Sequence, residues 1–263
     1  VNMFRRAAVL IALVSGLALT GCSAASDAPA APATEPTSAS GSELTGEVTV
    51  FAAASLRTAF DEIAAAFTEE NPGVTVNPIV YDGSSTLVTQ LQEGAHADVL
   101  ATADERNMQS LIDADLAADP ALFATNTMVV AVPAGNEAGV TSLADLANVV
   151  TVLCAPEVPC GKAATTLLDN AGVTVTPASQ EQNVTAVLQK VAANEADAGL
   201  VYATDVIGDD AVESFVPDGA ADVVNRYPIV ALDGASDAGI AFVKFAQGPT
   251  GQKILQELGF GAP

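Results

Sequence analysis

The amino-acid sequence predicts an α/β protein with two lobes, and three observations carry that prediction. From Glu47 onward, short β-rich runs alternate with helical patterns, the mark of right-handed βαβ units and a mixed, mostly parallel sheet with helices on both faces. The alternating body is roughly 215 residues long, generous for one small sheet and suited to two similar lobes. A longer strand starts at Thr127 and another strand-like run at Tyr227, which places the crossings between lobes near Asn126 and Tyr227. The first lobe is then discontinuous, 47–126 with a return over 228–263, and the second spans 127–227, with a hinge between them.

The elements follow in order. A strand over 48–52 leads to an amphipathic helix over 56–67; strand 74–80 leads to helix 86–92, and strand 99–101 to helix 106–114. The second lobe opens on strand 127–132 and continues through strand 149–153, helices over 162–170 and 184–193, and strand 198–202. After a polar stretch, 227–232 is again strand-like, and helices over 238–246 and 251–258 close the body. Ligands of open α/β sheets sit beyond the carboxyl ends of the strands, so two facing lobes enclose one site.

The residues before this body have another character. Met3-Phe4-Arg5-Arg6, the apolar run 7–19 and the small residues after it read as a signal peptide over 1–21. The run is short for a membrane span, and Leu19-Thr20-Gly21-Cys22 resembles a bacterial lipobox, in which Cys22 becomes the lipidated first residue. A plain signal peptide with an incidental cysteine is the simpler alternative. Residues 22–46 are mostly Ala, Pro, Ser and Thr, too polar and simple to offset chain entropy by burial. They are expected to form a disordered tether of roughly 25 to 30 Å, holding an exported protein at the outer face of the cytoplasmic membrane.

Charge narrows the partners. The chain carries a formal net charge of −23, and with Arg5 and Arg6 in the leader only seven Lys and Arg remain against 32 Asp and Glu. Nucleic acid is excluded as a partner on that balance. A small anion is not, because distant surface charges are screened beyond about 8 Å at physiological salt while aligned N–H groups act at contact. Cys154 and Cys160, separated by Ala155-Pro156-Glu157-Val158-Pro159, read in an exported protein as a small disulfide loop. A metal site competes for the same pair but needs more ligands, and the one histidine, His96, is far off in sequence, so neither a metal nor a cofactor is expected.

Two strand-to-helix junctions carry candidate binding residues. In Val50-Phe51-Ala52-Ala53-Ala54-Ser55-Leu56 and again in Tyr81-Asp82-Gly83-Ser84-Ser85-Thr86-Leu87, an apolar strand ends and a serine opens a helix. A serine at such a start offers its hydroxyl, the first-turn N–H groups have no intrahelical partners, and the helix dipole adds partial positive charge. Capping alone is the commoner use of such a serine; two junctions in succession suggest one shared anion.

Several segments then align with one family. The two serine junctions, Gly94-Ala95-His96-Ala97-Asp98-Val99 with Ala103-Asp104, Pro156 to Gly161, Glu181-Gln182-Asn183-Val184, and Gly199-Leu200-Val201-Tyr202-Ala203-Thr204-Asp205 stand in one order and spacing. Together with Gly248-Pro249 and Gly259-Phe260 near the end, this order resembles the periplasmic molybdate-binding proteins of molybdate ABC transporters, over essentially all of 47–261. The resemblance implies a two-lobed binding protein of the type II topology that closes on a tetrahedral oxyanion, without enzymatic activity. It implies molybdate contacts from Ser55 and Ser84 through hydroxyl and N–H, from the backbone N–H of Cys160 and of Val184, and from the Tyr202 hydroxyl. Cys160 stands where the family commonly has a small residue, and Asn183 where an acid is frequent. Expected partners are the molybdate oxyanion, the permease subunits of an ABC importer and, through Cys22, the membrane, with the chain itself monomeric.

Without that resemblance, Val184 reads as a core residue of a helix face, Tyr202 as a strand-end tyrosine and His96 as a surface loop residue. Arg57 and Lys162 could lend positive potential near Ser55 and Cys160, though cations at helix starts are commonly just solvated. Hydroxyls, a phenol and N–H groups suit a fully deprotonated anion such as molybdate; tungstate is nearly equal in size and charge, and sulfate or another tetrahedral oxyanion is the alternative ligand. A serine hydrolase built on Ser55 or Ser84 is the remote alternative, with no Gly-x-Ser-x-Gly elbow and only His96 as a base.

Overall fold

The computed structural model describes residues 43–263. The expected signal peptide, the lipidation at Cys22 and nearly all of the expected tether lie outside the described residues. In chain order the elements are β1 (Gly46–Val48), β2 (Val50–Ala53), α1 (Arg57–Glu70), β3 (Val74–Val76), β4 (Val80–Asp82), α2 (Ser84–Gln92), β5 (Val99–Ala101) and α3 (Glu105–Ile112). Then follow β6 (Ala121–Pro133), β7 (Thr151–Cys154), α4 (Pro159–Ala171), β8 (Ser179–Glu181), α5 (Val184–Ala192) and β9 (Ala198–Tyr202). The last are β10 (Val212–Phe215), β11 (Val224–Ala231), α6 (Asp237–Gln247) and α7 (Pro249–Glu257).

The main sheet runs β4-β2-β5-β11-β6-β9-β7-β8, with β10 also on β6, while β1 and β3 form a separate parallel pair. Within it, β4, β2 and β5 are mutually parallel, as are β8, β7 and β9, so the molecule is α/β with a mixed sheet. The long antiparallel strands β6 and β11 join the two parallel sets. Thr127 to Ala124 of β6 pair with Val224 to Tyr227 of β11; beyond them Met128 to Ala131 pair with β9, and Ile229 to Ala231 with β5. One buried cluster draws on residues between Met128 and Val223, and another on residues from Val48 to Ala124 and from Tyr227 to Phe260.

Helix faces explain the packing. In α1, Ala59, Phe60, Ile63 and Phe67 fall on one side and are buried, with Phe60 against Phe123 at 5.8 Å and Phe67 against Phe242 at 5.3 Å between ring centroids. In α5, Val184, Val187 and Val191 form the buried stripe. Side chains of that size contribute about 1.5 to 3 kcal/mol each when fully removed from water. Asp98 ties the start of α6 to β2: its carboxylate accepts the N–H groups of Thr49 and Ser236, both at 2.8 Å. Burial would push this acid up, but those hydrogen bonds hold it below the usual carboxylate range.

Several expected boundaries move. The single strand expected over 74–80 is two, because Asn77-Pro78 interrupts it: Pro78 has no N–H to give a ladder, and Asn77 donates through its side chain to Thr49. Gly46, expected to end the tether, already pairs with Val74 in β1. The strand expected to start at Thr127 begins at Ala121, and the one expected from Tyr227 begins at Val224. The polar strands β8 and β10 were not expected as strands. The helix expected from Lys162 starts at Pro159, since proline is at ease in the first helical position.

Candidate functional site

The parallel strands deliver their carboxyl ends to one place. After β2 the chain makes a 3-10 turn through Ala54, Ser55 and Leu56; after β4 it passes Gly83 into α2; after β7 it runs through a short loop into α4; after β8 it passes Asn183 into α5. A small cavity lies among these ends, bordered by Ser55, Ser84, Cys160, Val184 and Tyr202 and also by Asp82, Gly83 and Asn183. All five residues that the sequence singles out therefore border one space. The space left between them is small.

Neither serine caps a helix. Ser55 sits inside the 3-10 turn, and the residue before α1 is Leu56; Ser84 is the first residue of α2, with Gly83 at the cap. The sequence expectation of N-cap serines is corrected here, and the reason at Gly83 is steric. A Cβ at that position would lie 2.1 Å from the Gln182 carbonyl oxygen across the cleft, so only glycine fits.

Relieved of capping, the hydroxyls have other partners. Ser84 is fully buried, and its Oγ accepts the Ala103 N–H at 3.0 Å, which leaves its own proton to be donated elsewhere. The buried Tyr202 oxygen likewise accepts from Asn225 Nδ2 at 2.9 Å, and the same amide donates to the Ala103 carbonyl at 2.9 Å. Burial, with Tyr227 and Asp205 nearby, pushes the Tyr202 phenol well above its usual range, so it stays protonated and can donate. Ser55 Oγ lies 3.1 Å from the Tyr227 hydroxyl, a phenol also held protonated by burial. Accepting from Ala103 and Asn225 leaves the Ser84 and Tyr202 protons available to the cavity, while in the Ser55–Tyr227 pair either hydroxyl can be the donor.

Backbone donors complete the lining. No side chain caps α2 or α4, and in α5 the Asn183 Oδ1 accepts only the Ala186 N–H, at 3.0 Å, so first-turn N–H groups of Ser84, Cys160 and Val184 have no intrahelical acceptor. Three helix dipoles add positive potential at the same point. Cys154 and Cys160 are joined in a disulfide with their Cα atoms 5.7 Å apart, which fixes the start of α4 to the end of β7. Just past the bridge, in the first turn of α4, a Cβ on Gly161 would lie 1.8 Å from the Ala155 carbonyl oxygen, so the helix start and the loop pack at backbone level.

The remaining candidates lie apart. His96, Arg57 and Lys162 are exposed, and the Arg57 guanidinium stacks over the Tyr81 ring at 4.3 Å. His96 forms no part of the cavity lining, which leaves Ser55 and Ser84 without an imidazole base. Sequence reasoning missed Asn225, Tyr227 and the role of Asp205. The Asp205 carboxylate accepts the Tyr202 N–H at 2.8 Å, so Tyr202 faces the cavity through its hydroxyl alone, and burial pushes this acid up to about 7.

Facing α/β halves around a small cavity lined by donors define a solute-binding protein, and the comparisons agree: the chain belongs to the bacterial extracellular solute-binding proteins, whose family model matches residues 48–261. That is a class of binding proteins, not of enzymes. Within it the chain is a member of the molybdate-binding protein family. It is 42% identical over 258 residues to the molybdate-binding protein ModA of Mycobacterium tuberculosis, covering 95% of each chain. To ModA of Escherichia coli it is 33% identical over 233 residues, 82% of this chain and 89% of that one. The solved periplasmic molybdate-binding protein of Azotobacter vinelandii shares the fold, with a TM-score of 0.70 at 18% identity over 82% of this chain and 99% of that one.

Proposed function

We propose that this protein captures molybdate outside the cytoplasm and delivers it to the permease of an ABC importer. Ser55, Ser84 and Tyr202 donate hydroxyl protons to the anion, and Cys160 and Val184 donate backbone N–H groups. The halves 47–126 with 228–263 and 127–227 act as lobes that close on it, with β6 and β11 as the hinge. The observation that carries the reading is the pairing of Ser84 and Tyr202, whose oxygens already accept from Ala103 and Asn225, which leaves each hydroxyl proton free to be donated to an anion. Molybdate at neutral pH has only acceptors, and a dry cage of donors satisfies it fully. Tungstate, nearly equal in size and charge, is a second ligand of the same cage. Phosphate carries a proton near neutrality and is best held where an acceptor meets it; among the described residues Asp82 is the one acid bordering the cavity, and its Oδ1 is already engaged by the Gly83 and Asn183 N–H groups.

The leader and Cys22 support attachment by a lipid anchor, with the protein acting as a monomer. A thermal-shift panel of oxyanions tests the ligand reading. Molybdate and tungstate at about 100 times their dissociation constants add roughly 2.7 kcal/mol to stability. A shift with sulfate equal to that with molybdate at equal concentration would move the assignment to a general oxyanion carrier.

A further inference from the structure

Asp82 ends β4 on one wall of the cleft and Asn183 precedes α5 on the other, and both border the cavity. Asn183 Nδ2 donates to Asp82 Oδ1 at 2.9 Å, and the same oxygen accepts the Gly83 N–H at 2.7 Å. The Asn183 side chain thus does two things at once, capping α5 with its oxygen and bridging the cleft with its nitrogen. Beside this bridge the walls touch at backbone level, as the missing Cβ of Gly83 against Gln182 and Val158 requires. Of the three bonds, two join residues of the same wall and survive opening. The bond from Asn183 to Asp82 exists only while the walls are together.

A second polar contact crosses nearby, from Arg106 Nη2 to the Glu157 carbonyl at 2.7 Å, but its side chain is 49% exposed and water can replace the partner. The Asp82–Asn183 pair is part-buried at the rim of the cavity, where water replaces it less well. A carboxylate at position 183 would still cap α5, yet it would set a second negative charge against Asp82 within hydrogen-bond distance.

We propose that the Asp82–Asn183 hydrogen bond is the latch of the closed form. It rests on the reading that the cavity holds an oxyanion, and it makes Asp82 and Asn183 positioning residues that slow reopening without donating to the anion. It also accounts for the amide at 183: the neutral side chain supplies a donor where Asp82 presents only acceptors, and the two donors on Asp82 Oδ1 draw its charge away from the bound anion.

The test follows release of radiolabelled molybdate from the full protein into excess unlabelled molybdate. N183D keeps the helix cap and removes the latch donor, and is expected to release the anion about 10-fold faster with little change in association rate. The exchange D82N/N183D restores the bridge in reverse, because the new amide can donate across the cleft while its carbonyl still accepts the Gly83 N–H. Release from this double variant is expected within about 2-fold of the original protein, a rescue that a purely structural role for Asn183 does not produce. An N183D variant that releases molybdate at the unaltered rate, or a double exchange no slower than N183D, overturns the latch alone. If the unaltered protein retains another oxyanion of the panel instead, the series is read with that anion; if it retains none of molybdate, tungstate, sulfate and phosphate, the oxyanion reading and the latch fall together.

Discussion

Ser84→Ala separates two jobs that the structure assigns to one hydroxyl. The side chain is fully buried and its Oγ is the acceptor for the Ala103 N–H at 3.0 Å. Without it that N–H is left buried and unpaired, which costs about 1 to 3 kcal/mol of folding stability whether or not ligand is present. The proton of the same hydroxyl is left free to donate into the cavity, and losing a hydrogen bond to a charged group costs a further 1.5 to 3 kcal/mol or so of binding, about a 10- to 150-fold rise in Kd. Binding weakens without vanishing, because the Ser84 N–H at the start of α2 remains. Urea unfolding of the ligand-free protein reads the first loss, and isothermal titration with molybdate reads the second. Ser55→Ala is the comparison: Ser55 is half-buried and meets the Tyr227 hydroxyl at 3.1 Å, so its binding loss is similar and its stability loss smaller. A Ser84→Ala protein that binds molybdate within about twofold of the original refutes the orientation argued for this hydroxyl.

Gly83→Ala places a Cβ 2.1 Å from the Gln182 carbonyl oxygen, so the walls cannot meet; molybdate affinity is expected to fall about 10- to 100-fold, and small-angle scattering should show no contraction on adding molybdate. Removing the bridge in Cys154→Ala/Cys160→Ala is expected to lower stability by about 2 kcal/mol in urea unfolding and to weaken binding modestly, since the backbone donor at 160 survives the change but its loop loosens. Asp205, raised to about 7 in the fold, holds its proton where the unfolded chain has lost it. Its contribution is therefore intact below about pH 4 and is lost progressively as pH rises toward 7; Asp205→Asn keeps an acceptor for the Tyr202 N–H and should flatten that part of the curve of stability against pH. The carboxylates of Asp98 and Glu181 are held low and act with the opposite sign, losing stability as the solution is acidified, so the difference between the two proteins is the quantity to plot.

The alternation of strands and helices was legible because central parallel strands such as Val50–Ala53 and Val99–Ala101 are apolar throughout, and α1 and α5 bury clean stripes. Edge strands were not: Ser179–Glu181 and Val212–Phe215 are held by neighbours β7 and β6, and nothing local in their polar sequence announces pairing. The start of α4 was expected at Lys162 and lies at Pro159, a signal that was present in the sequence, since proline favours the first helical position. For the site, the helix-start pattern and the resemblance picked out residues that line one cavity. The roles of the serine hydroxyls could not be read locally, because Gly83 takes the cap position under a constraint imposed by Gln182, 99 residues later. Asn225 was invisible for the same reason. Its buried amide links Ala103 and Tyr202, neither of them near it in sequence.

The central claim is that a small cage of donors, closed by two facing halves, selects a fully deprotonated tetrahedral oxyanion of molybdate's size. Isothermal titration of the protein with molybdate and then with sulfate tests it most directly. The account predicts tight one-to-one binding of molybdate and much weaker binding of sulfate. Equal affinities for the two, or no heat with molybdate, would contradict it.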